Sequence, residues 1–454
     1  MNNFLYSTGG FIVALGILVT IHEFGHFWVA RRLGIKVLKF SIGFGRAIWS
    51  RKSGPDQIEY AVGILPLGGY VKMLDSTEGE VTALESGRAF DHQPVWKRSL
   101  VVLAGPGANF LFAIAAYWLV FAMGTQGLRP VVGSVVPGSP AAIAGFQKGD
   151  EIVAINGHTN RSWSDQRLWL FDGILDEQPV FFTVRSPGRA ERQLSIRPQH
   201  MAATLADGSV MSRGLGLLPY SPPVPAVVDK VLPDSPAARA GLLPGDRILK
   251  INTVAITDWF NVQQIIAKNP GRLMRLEIER RGQTVLIPLT PGRVDVSGRA
   301  IGRIGIQRKS THIPPDMVVD LRLPVFQALH KSIETTWLMS SLTLRMMGLM
   351  IMRKVSPKTL SGPLTIAQYA GQTAQIGLQQ FLLFLAVVSV SLGVLNLLPV
   401  PVLDGGHLLY YIAEVISGRP LPTQLIFWSQ QVGIVLLLGL MSVAFYNDIM
   451  RLVQ

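Results

Sequence analysis

The chain has 454 residues, of which 48% are hydrophobic and only 16% are charged. Ordinary globular proteins carry about a quarter charged residues, so this composition excludes a disordered chain and argues against a single soluble domain. The 42 lysines and arginines exceed the 29 aspartates and glutamates, and the net charge of +13 indicates either anionic lipid or nucleic acid as a partner. Because cysteine is absent, disulfides and thiolate metal sites are excluded, and a bound metal must use histidine, aspartate or glutamate.

Four apolar runs are long enough to cross a membrane, whose hydrocarbon core is about 30 Å thick. They predict transmembrane helices at approximately residues 9–30, 99–123, 376–402 and 424–446. Lysines and arginines cluster after the first run and before the second, so the positive-inside rule places residues 31–98 in the cytoplasm and both termini outside it. The same rule leaves residues 124–375 on the extracytoplasmic side. Membrane lipid explains the basic excess better than nucleic acid does.

A fifth segment, residues 334–352, is apolar and rich in methionine but carries Arg345 in its middle. A charge at the centre of a bilayer is costly. We therefore expect an amphipathic helix that lies in the membrane interface rather than a fifth crossing. A fifth crossing would also move Asp404 to the opposite leaflet from His22.

An internal repeat lies between the membrane halves, since residues 135–156 and 231–252 are identical at 13 of 22 positions. Each copy predicts a short helix with serine as N-cap and proline in the first turn, followed by a tight Gly-Asp turn and a strand. The pattern resembles PDZ domains of the bacterial protease type, which bind an extended peptide as an added strand. In that resemblance Gly214, Gly216 and Gly305 belong to peptide-binding loops. The alternative is that they are glycines in ordinary edge strands.

The predicted fold class is a multi-pass α-helical membrane protein with four transmembrane helices, two tandem extracytoplasmic PDZ-like domains of β-rich α+β type, and a membrane-associated β segment. Prolines 222, 223 and 225 mark the boundary between the repeats. We expect a first membrane half at 1–127 with a β-rich cytoplasmic loop at 31–98, PDZ-like domains at 128–221 and 222–309, a linker with the interfacial helix at 310–375, and a second membrane half at 376–454.

The sharpest local signal is His22-Glu23-Phe24-Gly25-His26 in the first apolar run. Residues four apart share one face of a helix, so both imidazoles can bind one Zn²⁺ while Glu23 accepts a proton from the metal-bound water. The alternative is three polar side chains that merely reach the interface at the inner end of the helix. Ionisable groups inside a membrane helix cost several kcal/mol and are typical of a functional site, which favours the metal.

A catalytic zinc site needs a third protein ligand and one open position. The segment from Asn396 to Gly406, Asn-Leu-Leu-Pro-Val-Pro-Val-Leu-Asp-Gly-Gly, offers Asp404 at the cytoplasmic end of the third apolar run, the same depth as the histidine pair. Its prolines break the helix, which a membrane tolerates where the backbone lines a cavity. His407 is a competing ligand, and the Gly-Gly after Asp404 favours the aspartate.

These motifs and the repeat together resemble the site-2 protease family of intramembrane zinc proteases over essentially the whole chain. The resemblance implies one zinc ion bound by His22, His26 and Asp404, with Glu23 activating the water. It also implies that Asn396 positions substrate, and residues 105–110 match a Gly-Pro-x-x-Asn segment of the family whose asparagine, Asn109, has the same expected role.

The resemblance further implies an endopeptidase that cuts single-span membrane proteins within or near their membrane segment during regulated intramembrane proteolysis. Its expected partners are an anti-sigma factor already trimmed outside the membrane, remnant signal peptides and membrane lipid. The expected location is the bacterial inner membrane, with the PDZ-like domains in the periplasm and the active site toward the cytoplasm. The alternative is a membrane-anchored PDZ scaffold with a degenerate metal site.

Residues 60–73, with Gly68 and Gly69 near their centre, are apolar, have β propensity and lie just inside the membrane in this topology. We expect a sheet whose edge receives the unwound substrate as an extra strand, so that the two glycines help to position substrate. The alternative is a surface hairpin that only covers the membrane face.

Overall fold

The computed structural model describes residues 2–77, 79–175, 177–198, 201, 209–222, 224–296, 299–308, 313–352 and 362–453. The described chain forms long apolar helices at both ends and small β-sheets between them. Pro223, at the expected boundary between the repeats, and residue 309, the expected end of the second repeat domain, lie outside the described residues.

The first 123 residues form two long helices joined by a sheet. The elements are α1 (Asn2–Arg32), β1 (Val37–Ser53), β2 (Ile58–Met73), a 3-10 turn (Ser86–Arg88) and α2 (Val95–Met123). The two helices pack along each other, and a β-carbon on Gly25 would overlap the backbone of Ala104 and lie 2.8 Å from the β-carbon of Ala108. Gly25 therefore allows α1 and α2 to approach closely beside the histidine pair.

β1 and β2 bend and pair with each other more than once. Ile42 pairs with Gly69 and also with Val62, so the part of β1 around Ile42 lies between two parts of β2. Residues 69–73 consequently form one edge of the sheet, and no other described strand pairs with them. The structure confirms the sheet expected for residues 60–73.

The first β-rich unit, residues 132–219, contains the first repeat copy. β3 (Gln126–Leu128) precedes it, and its elements are β4 (Val132–Val135), α3 (Pro140–Ile143), β5 (Glu151–Ile155), β6 (His158–Thr159), α4 (Gln166–Leu175), β7 (Val180–Arg185), β8 (Arg192–Ile196), a π-helix (Val210–Leu215) and β9 (Leu217–Pro219). The sheet order is β6-β5-β7-β8, and β4 pairs with β9. Phe182, Ile155 and Leu170 are fully buried in its core.

The second β-rich unit, residues 228–308, repeats this arrangement. Its elements are β10 (Val228–Val231), α5 (Pro236–Arg239), β11 (Arg247–Ile251), β12 (Val254–Ala255), α6 (Trp259–Ala267), β13 (Met274–Arg280), β14 (Gln283–Leu289), β15 (Gly292–Val296), β16 (Arg299–Arg303) and β17 (Ile306–Arg308). The sheet order β12-β11-β13-β14 and the pair β10-β17 match the first unit, and the hairpin β15-β16 is additional.

The short helix expected in each repeat copy is confirmed. Ser139 accepts a hydrogen bond from the backbone N–H of Ala142, and Ser235 accepts one from that of Ala238. Each serine is therefore an N-cap, and the proline that follows occupies the first helical turn.

The chain leaves the two β-rich units beside the point where it enters them. After a 3-10 turn (Pro315–Met317), β18 (Val318–Asp320) pairs antiparallel with β3. The remaining elements are α7 (Val325–Ile351), α8 (Pro363–Ile376), α9 (Leu378–Asn396), α10 (Asp404–Ser417) and α11 (Thr423–Val453). The pairing of β3 with β18 means that both units are inserted as one block between α2 and α7.

Among the described residues, four helices are long and apolar enough to cross a membrane: Leu5–Arg32, Val95–Met123, Leu378–Asn396 and Thr423–Arg451. The four expected spans are thus confirmed as apolar helices. The expected end of the third span at residue 402 is wrong, because the helix ends at Asn396 before the prolines at 399 and 401. Asp404 accordingly begins a separate helix, α10, instead of ending the third span.

The segment expected at 334–352 is part of a longer helix, α7, that starts at Val325. Met339 packs with residues of α2 and α9, and Lys331 lies 4.2 Å from the centre of the Trp169 ring in α4. α7 therefore contacts both the apolar helices and the first β-rich unit. Its position in the membrane interface stays a prediction.

Candidate metal centre

His22, His26 and Asp404 meet at one point, although the aspartate is nearly 380 residues away along the chain. The Nε2 atoms of the two histidines are 3.3 Å apart. Oδ2 of Asp404 lies 3.3 Å from Nε2 of His22 and 3.6 Å from Nε2 of His26. All three side chains are largely buried, with between 11% and 18% of their surface exposed.

The spacing of these atoms fits a tetrahedral metal. Two ligands that are each about 2.0–2.1 Å from a tetrahedral zinc ion are about 3.3 Å apart. The observed separations are 3.3, 3.3 and 3.6 Å. Oδ2 of Asp404 is also buried without a hydrogen-bond partner among the described residues, which is unfavourable unless a cation binds it. Two imidazoles and one carboxylate are a typical ligand set for catalytic zinc.

A backbone carbonyl of α2 orients His26. Nδ1 of His26 lies 2.7 Å from the carbonyl oxygen of Val101. Because a carbonyl only accepts, Nδ1 carries the proton and donates it, which leaves the lone pair of Nε2 facing the other two candidate ligands. The ring is thus held in the tautomer that a metal requires.

Asn109 orients His22 in a similar way. Its Nδ2 lies 3.1 Å from Nδ1 of His22, while Oδ1 of the same amide is buried and has no partner in the part of the chain that the structure describes. A histidine that binds a metal through Nε2 carries its proton on Nδ1 and needs an acceptor there. Turning the amide by 180° lets Oδ1 accept that proton and gives the buried oxygen its partner. The Asn109 side chain is fully buried.

Asn396 stands at the end of α9, next to the same histidine. Its Nδ2 is 3.5 Å from both ring nitrogens of His22, and its side chain is partly exposed. α9 is also joined to α2 two turns before Asn396, where the Ser389 hydroxyl donates to the backbone carbonyl of Asn109 at 2.9 Å. The two asparagines named from the sequence therefore both lie at the candidate centre, but only Asn396 has exposed surface.

Gly105 of α2 faces the two imidazoles directly. A β-carbon there would overlap the His26 ring and lie 2.8 Å from the His22 ring. Only glycine leaves room for both histidines against α2 at this position. On the opposite face of α2, a β-carbon on Gly107 would meet no described atom within 4 Å.

Asp404 is positioned by both ends of α10. At its beginning, β-carbons on Gly405 and Gly406 would overlap the backbone of residues 397–400, so the helix packs directly on the turn that follows α9. Toward its end, Glu414 accepts a hydrogen bond from Arg98 at 2.6 Å. The Arg98 guanidinium also lies 4.9 Å from the centre of the Tyr411 ring. α10 is therefore fixed to α2, which also orients His26.

Glu23 lies between the histidines and the sheet edge. A β-carbon on Gly69 would lie 3.1 Å from Cγ of Glu23 and 3.0 Å from Cγ1 of Val19. The edge strand, residues 69–73, thus runs against α1 at the level of Glu23. Gly68 is next to it and packs on the Phe44 ring.

His407, the competing ligand, is not part of the group. Within the described part of the chain, the metal-capable cluster contains only His22, His26 and Asp404. The His407 ring instead makes an edge contact with Tyr410, with ring centres 5.9 Å apart. Asp404, and not its competitor His407, therefore completes the cluster with the two histidines.

The glycines expected in peptide-binding loops occupy two different environments. Gly216 and Gly305 have left-handed backbone conformations, with φ of +80° and +76°, and stand immediately before β9 and β17. A β-carbon on either would overlap the N-cap serine of its unit, Ser139 or Ser235. Gly214 instead lies in the π-helix that ends at Leu215, so its expected place in a loop is wrong.

Several residues at the centre were not identified from the sequence. Val101 acts through its backbone carbonyl, which no side-chain pattern indicates. Arg98 and Glu414 form an ion pair across more than 300 residues, and no local spacing indicates it. Gly105 belongs to a segment that the sequence did mark, but its contact with the histidines depends on how α2 packs.

Comparison with known proteins gives a consistent result. Residues 10–440 match the profile of Peptidase family M50. The chain is similar over its whole length to the regulator of sigma-E protease RseP of Escherichia coli K12, with 41% identity over 452 residues that cover all of both chains. A Vibrio cholerae protein named as a candidate zinc metalloprotease is also 41% identical to this chain, over 454 residues that cover all of both chains. Identity to the regulator of sigma E protease of Haemophilus influenzae is 38%, over 99% of this chain and all of the relative.

Substituting Gly105 with alanine tests the contact between α2 and the histidines. We expect Gly105→Ala to displace both imidazoles, so that two of the three ligands move. The zinc content of the purified variant should then fall to less than about a tenth of that of the unaltered protein. Gly107→Ala is the matched control, because it adds the same methyl group to the same helix where space is open. Equal zinc content in both variants, measured by mass spectrometry of the metal, would contradict the arrangement.

Proposed function

The chain belongs to peptidase family M50 and is a zinc metalloprotease, and from this premise we propose that it cleaves single-span membrane proteins within or near their membrane segment. The observation that carries the proposal is the convergence of His22, His26 and Asp404 between apolar helices from both ends of the chain. A protease centre inside a helix bundle of this kind suits a substrate that is itself held in the membrane.

His22, His26 and Asp404 would hold one zinc ion, with the fourth position open to water. When bound, zinc acts as a Lewis acid that polarises the scissile carbonyl and lowers the pKa of water toward neutrality. Glu23 follows His22 directly on α1 and is the only carboxylate in the segment from His22 to His26. It accepts a proton from the attacking water and later passes this proton to the leaving amine.

Two asparagines support this chemistry in different ways. Asn109 is fully buried against His22, which supports a role in orienting the ligand. Asn396 is partly exposed at the end of α9 and can donate to a substrate carbonyl. We assign substrate positioning to Asn396 and ligand orientation to Asn109.

The edge strand, residues 69–73, would receive the substrate as an added strand. A membrane helix hides its backbone in its own hydrogen bonds, so it must be extended locally before it can be cut. An unpaired strand edge offers backbone donors and acceptors to an extended segment. This edge runs beside Glu23, and Gly68 and Gly69 lie at its start. The outer part of the hairpin exposes large apolar side chains, which supports association with the membrane: Phe44, Ile48, Trp49, Ile64 and Leu65.

We propose that the two β-rich units are PDZ-like domains that filter substrates by size. Their shared sheet order and the matching positions of Gly216 and Gly305 support the PDZ-like assignment. Both units enter and leave through the adjacent strands β3 and β18, which supports a block placed above the membrane helices. Such a block would exclude a substrate that still carries a large outer domain.

By similarity to its relatives, this protein would act in a sigma-E stress-response pathway on an anti-sigma factor already trimmed outside the membrane. Remnant signal peptides are a second expected substrate. The location would be the bacterial inner membrane. Arg31 and Arg32 end α1 and Lys97 and Arg98 begin α2, which supports the centre facing the cytoplasm and the β-rich units facing the periplasm.

Glu23→Gln tests the proton transfer. Glutamine keeps the size of the side chain but cannot accept the proton, so we expect cleavage to fall by at least about 100-fold while zinc stays bound. The assay is mass spectrometry of a single-span substrate without its outer domain, incubated with the protein in detergent. Two fragments split within the apolar span should form with the unaltered protein and with Glu80→Gln, an exposed control in the cytoplasmic loop. Full cleavage by Glu23→Gln would refute the role.

Gly69→Ala tests the edge strand. The added methyl group would overlap the backbone carbonyl of Ser41 in β1 and press on Glu23 and Val19 of α1, so the strand must move. We expect kcat/KM to fall about tenfold or more without loss of zinc, because a shift of about 1 Å in substrate position has effects of this size. Gly87→Ala lies in the same loop region with open space around it and serves as the control. Unchanged kcat/KM in Gly69→Ala would contradict the role of the edge strand in binding substrate and would favour a hairpin that only covers the membrane face.

Removal of the β-rich units tests the filter. Leu128 pairs with Val318, so an Asn-Gly turn in place of residues 129–317 joins β3 and β18 as a two-residue hairpin. We expect this variant to cleave both a trimmed substrate and one that retains its outer domain, whereas the full chain cleaves only the first. Loss of cleavage of the trimmed substrate, with zinc retained, would show instead that the units bind substrate actively.

A further inference from the structure

A pocket of about 520 Å³ lies where the first β-rich unit meets the chain segments that enter and leave it, and it shares no residue with the metal centre. Its apolar lining includes Val131, Tyr220 and Met317. Its lining also carries four cationic side chains, which are together called the rim: Arg129, Lys148, Arg185 and Arg189. A lining with both apolar and cationic side chains is complementary to an amphiphile that has a negatively charged head.

The charges on the rim are only partly neutralised. Arg129 pairs with Glu151 at 2.9 Å, and Arg185 pairs with Glu191 at 2.6 Å. Lys148 and Arg189 are exposed and have no ion-pair partner among the described residues. The rim therefore keeps an excess positive charge that favours an anion.

The pocket lies close to the end of a membrane helix. Arg129 is six residues beyond Met123, the last residue of α2, so it is at most about 22 Å from the helix end. Met317 stands directly before β18, and β18 pairs with β3, the strand that follows α2 in the chain. The indole N–H of Trp118, near the same end of α2, donates to the backbone carbonyl of Val325 at 3.0 Å. Tryptophan near the end of a membrane helix is typical of the membrane interface.

We propose that this pocket binds the headgroup of an anionic phospholipid from the leaflet that faces the β-rich units. The phosphate would contact Lys148 and Arg189 on the rim, and the glycerol backbone and first methylene groups would cover Tyr220 and Met317. A lipid bound here would hold the first β-rich unit at a fixed height above the metal centre. The inference rests on the proposed topology, but it requires no cleavage and is tested without it.

The test uses the full-length protein in lipid nanodiscs with photoreactive probes. One probe is phosphatidylglycerol and the other is phosphatidylcholine, with the same acyl chains and a photoreactive group near the head. Mass spectrometry of peptides locates the attached lipid. The test variant is Lys148→Glu with Arg189→Glu, and the matched control is Lys268→Glu with Arg272→Glu, two cations of the second β-rich unit. Zinc content shows that each variant is folded.

We expect phosphatidylglycerol to label peptides that contain residues 129–132, 185–189 or 317, and phosphatidylcholine to label them far less. Labelling should fall at least about tenfold in the test variant, since each cation near a surface contributes about fivefold to anionic lipid binding, and should persist in the control. Equal labelling by both probes, equal labelling of both variants, or no labelling of these peptides would overturn the proposal. Complete competition by excess inorganic phosphate would assign the pocket to a free anion and overturn the lipid assignment.

Discussion

A carboxylate and two imidazoles that face one another inside an apolar helix bundle place the strictest constraint on this structure. Burying a charged group costs several kcal/mol unless it is paired, and no described residue forms a hydrogen bond with Oδ2 of Asp404. A divalent cation removes this penalty by direct coordination and at the same time gives the protein its chemistry. The packing of the surrounding helices serves to bring these three side chains to one point.

That convergence depends on residues that have no chemistry of their own. Gly25 and Gly105 allow α1 and α2 to touch at the histidines, and the prolines after Asn396 end α9 so that a new helix can begin with Asp404. α2 occupies the middle of this arrangement. It orients His26 through a carbonyl, contacts His22 through an asparagine, and holds α10 through an ion pair. One helix thus joins segments that lie near opposite ends of the chain.

Much of this arrangement could be predicted from the sequence. The i, i+4 spacing of His22 and His26 fixes a shared helix face, and the absence of cysteine limits the third ligand to a few candidates. The duplicated Ser-Pro-Ala-Ala segments predict the capped helices in both units because capping is a local effect. The sheet at 60–73 is likewise indicated by apolar residues with β propensity.

The errors and omissions concern contacts between distant segments. Hydropathy alone extends the third apolar run to residue 402, because it does not register that proline removes backbone donors, although the prolines themselves indicate a break in the helix. Gly214 has no glycine counterpart in the second unit, where Arg303 stands at the equivalent position, and the π-helix around Gly214 has no sequence signature of its own. The partner of each orienting group, such as Val101 for His26, is fixed by helix packing, which the sequence does not display.

X-ray absorption at the zinc edge tests whether His22, His26 and Asp404 bind the metal, because it reports the ligands of the metal independently of activity. We expect four nitrogen or oxygen ligands at about 2.0–2.1 Å, with outer-shell scattering from two imidazoles. We also expect Asp404→Ala to change this spectrum or to abolish zinc binding. A spectrum with fewer than two imidazoles, or one that Asp404→Ala leaves unchanged, would contradict the assignment of His22, His26 and Asp404 as the zinc ligands.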